Sequence, residues 1–375
     1  MGERALRVTA RQLGVVLGQL PTGPRNTITD VPGVLVGHET IIEGQGAHRP
    51  GIGPVRTGVT VIQPHPGDTY LDRVAAAVEW FNGFGECLGA GLVHEFGLII
   101  GPITLTNSFN VYRVADALQD WSIRQHPEVG IDTHGLLCLV AECSDDYLND
   151  IQGRHVHAEH VERALGAVTA DALQGAVGAG TGMEVYGFKG GIGTSSRVVD
   201  AEDRAYTVGV LALANHGIKE QLTILGVPVG RELERHPAGR PDRREDGSCV
   251  LVVATDAPLL PHQLRRLARR SFLGMARTGA TARNGSGDLA IAFSTTNRIM
   301  RDPGPVATFP FVPDFHEDVI NPLFSAVCEA SEEAIVNALF TAESMTGRDG
   351  HHLEALPIEP TLAMLRKHGQ LAAHA

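Results

Sequence analysis

The chain has 375 residues, 43% of them hydrophobic and 20% charged, and a formal net charge of -12. That length supports a large core, in one big domain or two of ordinary size, and the acidic balance argues against nucleic acid as a partner. No apolar run approaches the roughly 18 residues of a membrane helix. The five cysteines are odd in number and scattered without C-x-x-C, which indicates neither a disulfide frame nor a cysteine zinc site.

The N-terminus mixes Glu3, Arg4, Arg7 and Arg11 into its apolar residues, unlike a signal peptide, and Leu6 stands where myristoylation needs Ser or Thr. A cytoplasmic protein without membrane contact is the expectation. In chain order, "TGVTVIQ" from Thr57 reads as a buried strand, and "LDRVAAAVEWFNGFG" places Leu71, Val74, Val78 and Phe81 at helical spacing. "GLIIGPITL" from Gly97 and "HGLLCLVAE" from His134 read as further strands. "HVERALGAVTADALQGAV" repeats the helical spacing with Val161, Leu165, Val168 and Leu173. "TVGVLALAN", ending at Asn215, is again a strand.

Residues 231–247, "RELERHPAGRPDRREDG", carry five basic and five acidic residues and one large aliphatic, Leu233, so they predict an exposed, mobile loop. "CVLVVAT" from Cys249 follows as a strand. A helix after Pro261 sets Leu264, Leu267, Ala268 and Met275 on one face, with Arg265, Arg266, Arg269 and Arg270 on a solvated one. "DLAIAFST" from Asp288 is a strand, and "EDVINPLFSAVCEASEEAIVNALF" a long, interrupted helix. The class is α/β, with no internal period.

The glycine-rich "GAGTGMEVYGFKGGIGTSSR" is no Walker loop, because Gly190 follows Lys189 where Ser or Thr is needed. "HVHAEH" (His155, His157, His160) lacks the convergence of a three-histidine site and reads as a polar helix face. Neither H-E-x-x-H nor G-x-S-x-G occurs, so no metal and no cofactor are expected.

The junction Gly247-Ser248 offers other chemistry. A serine hydroxyl needs a base, and a chain that begins with serine carries one in its own α-amino group, of reference pKa about 7.7 to 8.0. Cutting before Ser248 would create that terminus, with the charged loop upstream and a rigid strand downstream. The alternative is an ordinary linker entering a strand. Downstream, Asn284-Gly285 makes a turn presenting Ser286 and Asp288 at the head of a second strand, where the hydroxyl can relay a proton and the carboxylate hold an ammonium.

Six motifs in order, "NTITDVPGVLVGHET", "TGVTVIQPHPG", "LNDIQG", "GFKGGIGTSSR", "DGSCVLVVATDAPL" and "NGSGDLAIAFSTTN", together resemble the self-processing aminopeptidases of the DmpA type, the L-aminopeptidase/D-esterase and β-peptidyl aminopeptidase group. The resemblance covers nearly the whole chain. It implies one domain with a four-layer αββα sandwich, cleaved autocatalytically between Gly247 and Ser248 into an α chain of residues 1–247 and a β chain of residues 248–375. Ser248 is then nucleophile for self-cleavage and for substrate. Asn215 matches the oxyanion-hole asparagine, Ser286 and Asp288 the residues around the nucleophile, and Glu142 is the candidate to hold the substrate's free amine. Family members carry an aromatic soon after this glutamate, whereas "ECSDDYLND" offers Tyr147 in a shifted register. Small peptides, amides or esters with an L-, D- or β-residue at the N-terminus are the implied substrates, and a tetramer of αβ units the implied assembly. An acyltransferase on the same fold, whose members use threonine where Ser248 stands, and an uncleaved binding protein are the alternatives.

Overall fold

The computed structural model describes residues 7–133, 138–201, 204–234, 247–302, 308–314 and 316–371. Its strands in chain order are β1 (Leu35–Glu43), β2 (Val55–Gln63), β3 (Asp72–Trp80), β4 (Cys87–Leu88), β5 (Leu98–Ile99), β6 (Ile103–Asn107), β7 (Leu139–Cys143), β8 (Glu184–Val185), β9 (Phe188–Lys189), β10 (Ile192–Ala201), β11 (Arg204–Asn215), β12 (Ser248–Thr255), β13 (Gly287–Met300), β14 (Met345–Thr346) and β15 (His352–Leu353). The helices are α1 (Ala90–Phe96), α2 (Val111–Gln125), α3 (Ala158–Gly166), α4 (Val229–Glu234), α5 (Pro261–Arg277), α6 (Glu317–Thr341) and α7 (Ile358–Lys367). The two large sheets run β1-β2-β6-β7-β4 and β10-β11-β12-β13-β3-β5, while β8-β9 and β14-β15 form separate two-stranded pairs.

Three apolar layers bind these elements into an αββα sandwich. Val250, Val252 and Ala254 of β12 meet Leu105 and Ala141 of the facing sheet, while Cys249, Leu251 and Val253 meet Leu264, Phe272 and Ile335 of the helices α5 and α6. On the far side, Val59 and Val140 pack under Val114 and Val161 of α2 and α3. Strands covered on both faces lose polar alternation, which is why β11, β12 and β13 stand out in the sequence as unbroken apolar runs. Cys249 accordingly packs in the core.

Several sequence expectations change. The stretch from Leu71 to Phe81 holds the strand β3, Asp72–Trp80, and not a helix. Val74, Ala76 and Val78 enter the layer between the sheets, and Ala75 and Ala77 the helix layer, so a run buried on both faces satisfied the helical spacing by being apolar at nearly every position. Helix α3 stops at Gly166, and Thr169 then exchanges hydrogen bonds with Val36 at the edge of β1, which leaves Val168 and Leu173 outside any helix. "GLIIGPITL" divides into β5 and β6, which belong to different sheets. Helix α6 runs unbroken through Pro322, in its second turn.

The arginines of α5 lie on a solvated face, as expected, and are also paired there. Arg269 donates to Glu79 at 2.9 Å, Arg266 pairs with Asp314 at 3.4 Å, and the Arg270 guanidinium lies 3.4 Å over the Phe324 ring. Arg231 to Glu234 end the short helix α4, so the expected 231–247 loop is helical at its start. Residues 235–246 lie outside the described residues.

Strand β10 escaped the sequence reading because its buried residues include Thr194, Ser195, Ser196 and Arg197. Helix α6 approaches so closely here that a Cβ on Gly193 would stand 1.8 Å from the carbonyl oxygen of Ala334. Arg197 donates to Glu329 at 3.1 Å and Glu333 at 2.6 Å on α6.

Candidate active site

Strand register assembles the site. Ser248, the first residue of β12, pairs with Asn215, the last of β11, on one side and with Gly287, the first of β13, on the other. Directly opposed residues share a face, with Cβ atoms about 5 Å apart. Ser248 therefore presents its hydroxyl beside the Asn215 amide, towards the facing sheet. The Asn215 carboxamide is turned by the Glu184 N–H, which donates to its Oδ1 at 2.9 Å, leaving the NH2 end to serve as a donor at the strand end.

From the opposite sheet, β7 ends on Cys143, whose buried thiol hydrogen-bonds Ser248 and donates to the Leu213 carbonyl at 3.5 Å. Burial pushes this thiol well above its ordinary range, and the Glu142 charge adds to the rise. Glu142 precedes it in the strand and points to the other face, where Oε1 accepts from the Glu86 N–H at 3.0 Å and Oε2 from the Ser108 hydroxyl. Burial raises its pKa, against the opposing Ser108 and Glu86 hydrogen bonds. Tyr147 stacks on His351, ring centroids 4.4 Å apart, and its carbonyl bonds the same ring's Nδ1.

On the helix-covered face, the turn at Asn284-Gly285 closes with a hydrogen bond from the Ser286 N–H to the Arg283 carbonyl, 3.0 Å. It delivers Ser286 and fully buried Asp288 to the head of β13. Asp288 is held above its ordinary pKa by burial, opposed by hydrogen bonds from Ser286, Asn82 and the Cys249 N–H. Asn82 donates to Asp288 Oδ2 at 3.2 Å and to the Arg283 carbonyl at 3.0 Å, tying the end of β3 to this turn.

Gly247 sits where no side chain fits, since a Cβ there would come within 2.6 Å of the Asn215 carbonyl oxygen and 2.8 Å of His216 Cα. Its own carbonyl accepts from the Gly287 N–H at 3.0 Å. A hydroxyl, an amide donor, a carboxylate and a fixed peptide carbonyl are thus gathered at one strand end. That set is suited to acyl transfer, with a donor placed for a developing oxyanion.

Of the expected residues, the structure brings Asn215, Gly247, Ser248, Ser286 and Asp288 together and places Glu142 one residue from the Cys143 contact, while Tyr147 lies against His351. Asn82, Cys143 and His216 were missed. Asn82 was hidden by the helical reading of β3, whereas His216 directly follows Asn215 and could have been flagged by that adjacency. The "HVHAEH" histidines disperse, His155 to Asp150 at 2.9 Å and His157 onto the His160 ring. Lys189 is buried and donates to the carbonyls of Gly180, Met183 and Gly190, which ties the glycine-rich segment together.

Residues 26–353 match the family model described as Peptidase family S58. The chain is 46% identical over 365 residues to beta-peptidyl aminopeptidase BapA of Sphingosinicella xenopeptidilytica, covering 93% of this chain and 88% of that protein. Among solved structures it superposes on a protein of Pyrococcus horikoshii OT3 with a TM-score of 0.92 and 47% identity, covering 97% of this chain and 100% of that one. It also superposes on the L-aminopeptidase D-Ala-esterase/amidase of Ochrobactrum anthropi, described as a variant of the Ntn hydrolase fold, with a TM-score of 0.89 and 40% identity over 97% of this chain and 99% of that one.

Proposed function

The chain belongs to peptidase family S58 and is thereby a hydrolase, and we propose that it is an aminopeptidase that makes its own nucleophile by cutting between Gly247 and Ser248. The observation that carries this is the register Asn215–Ser248–Gly287, which sets the serine, an amide donor and a clamped scissile carbonyl side by side. In self-cleavage the Ser248 hydroxyl attacks the Gly247 carbonyl carbon and the C–N bond breaks. The hydroxyl proton ends on the Ser248 nitrogen, and water then hydrolyses the resulting ester.

In turnover the freed α-amine takes the Ser248 proton as the oxygen attacks the substrate carbonyl, and passes it to the leaving amine. The Asn215 NH2 stabilises the tetrahedral oxyanion. Asp288 holds the ammonium form of the terminus, with Ser286 as proton relay. Glu142, kept in place by Ser108 and the Glu86 N–H, anchors the substrate's own ammonium, and Tyr147 stands further along the same loop. Similarity to a beta-peptidyl aminopeptidase supports β-residue amides as the first substrates to try, beside L- and D-alanyl amides.

We extend the proposal to a cytoplasmic tetramer of αβ units. Among the described residues no helix is long and apolar enough to cross a membrane, and the exposed Phe84, Phe96, Phe109 and Tyr112 favour burial against a partner. Light scattering reads the assembly. The central test is intact mass on purified protein. Wild type is expected as two fragments split before Ser248, and Ser248→Ala as one inactive chain; an uncleaved or active Ser248→Ala-insensitive enzyme would refute the mechanism.

A further inference from the structure

Beside Gly247 lies a small cavity bounded by His216, Gln221, Ser286, Asp288 and Met275, with about 10 Å3 of room for the centre of a water molecule. That is space for about one. Three of its walls carry buried polar atoms with no hydrogen-bond partner among the described residues: both ring nitrogens of His216, Oε1 of Gln221 and Oδ1 of Asp288. Buried polar atoms rarely stay unpaired, and a water with two to four polar partners is the usual remedy. One water here can donate to the two acceptor oxygens and accept from the imidazole N–H, which pairs three of these four atoms.

His216 is suited to hold such a water and not to ionise. It is 5% exposed, its ring stands edge-on to Tyr186 at 5.3 Å, and burial lowers its pKa to about 4, so the ring is neutral near pH 7. The cavity also lies on the correct side of the strand. Ser248 shares the inter-sheet face with Val250, whereas Asp288 and the Tyr186 ring that His216 touches belong to the helix face with Cys249. The Ser248 oxygen and a water in this cavity would thus flank the Gly247 carbonyl from different sides of the strand.

We infer that this cavity seats the water that hydrolyses the Gly247 ester during self-cleavage, held by His216, Gln221 and Asp288. The inference rests on the self-cleavage proposed above. The water oxygen bonds to the Gly247 carbonyl carbon and its proton passes to the free α-amine of Ser248. The bond from that carbon to Ser248 Oγ then breaks, Oγ takes the proton from the amine, and Gly247 is released as a carboxylic acid. Holding the water in place is His216's part, as a neutral partner; the amine serves as base.

The test follows cleavage of the freshly synthesised full chain by intact mass, with and without neutral hydroxylamine, which cleaves esters and leaves amides. His216→Phe, which removes the ring nitrogens, is expected to cut at least about tenfold more slowly than wild type. Hydroxylamine should restore the cut and leave a hydroxamate on Gly247, while His216→Gln should retain most of the wild-type rate. Cleavage of His216→Phe at the wild-type rate would overturn the inference, as would slow cleavage that hydroxylamine does not rescue, since the block would then precede the ester. If circular dichroism shows His216→Phe to be unfolded, Gln221→Leu is judged by the same criteria. A wild-type chain that is never cut before Ser248 is a separate outcome and removes the self-cleavage reading itself.

Discussion

Two buried polar clusters lie on the helix-covered face of the same six-stranded sheet, and they are built on opposite terms. Around Arg197, the guanidinium meets Glu329, Glu333 and the Leu17 carbonyl, while Glu333 also takes Arg11 at 2.8 Å and Asn26 at 2.6 Å. No buried charged atom of that cluster lacks a partner among the described residues. Around Gly247, His216, Gln221 and Asp288 keep polar atoms unpaired, at the end of strands whose central residues are apolar. A saturated network fixes one arrangement of the chain; an unsaturated one has capacity left for water, substrate or a new terminus. The first cluster is accordingly assigned to folding and the second to chemistry.

That division can be broken by substitutions that cross it. Arg197→Met removes the buried cation beside Glu329 and leaves Glu333 to Arg11 and Asn26, so it should cost about 3–5 kcal/mol of stability in a denaturant titration. Activity per folded molecule should be retained, and a fall in kcat with unchanged stability would place Arg197 on the chemical side. Asn215→Ala is the converse. Its fold should persist while kcat falls about 100- to 1,000-fold, the usual result of removing an oxyanion donor. An unaltered kcat would take Asn215 out of that role.

How much of this the sequence discloses depends on whether a residue's environment is local. Strands β11, β12 and β13 are legible as apolar runs because sheet and helices cover both their faces, and the candidate site residues at their ends follow from the family resemblance. Arg197 is not legible. A charged residue in a glycine-rich segment reads as exposed, and its partners Glu329 and Glu333 arrive from a helix far along the chain. Asn82 fails for a different reason, since its role depends on β3 being a strand that ends beside β13, where the N–H groups of Phe81 and Asn82 donate to the Asp288 carbonyl. Local periodicity cannot tell a doubly buried strand from a helix. Unpaired atoms such as those of His216 are a property of the assembled cavity and have no sequence signal.

The smallest expected effect sharpens the same contrast through the sign of a pH dependence. Burial pushes the Glu333 carboxyl up, but the Arg11 hydrogen bond and the charges of Arg197 and Arg11 outweigh it and leave its pKa below the ordinary value. A carboxyl lowered by folding contributes stability above its unfolded pKa and loses it as pH falls through the folded one. Asp288 is the reverse. Raised by burial, it binds its proton more tightly in the folded chain, so its contribution is present below the unfolded pKa and lost as pH rises through the folded one. In the uncleaved Ser248→Ala background, Asp288→Asn should therefore raise the melting midpoint more at neutral pH than in acid, by about 2 °C. Glu333→Gln should lower it more at neutral pH than in acid. Parallel pH trends for the two substitutions would mean that Asp288 already has its countercharge before the chain is cut, and that the α-amine of Ser248 is not the partner for which its carboxylate is kept.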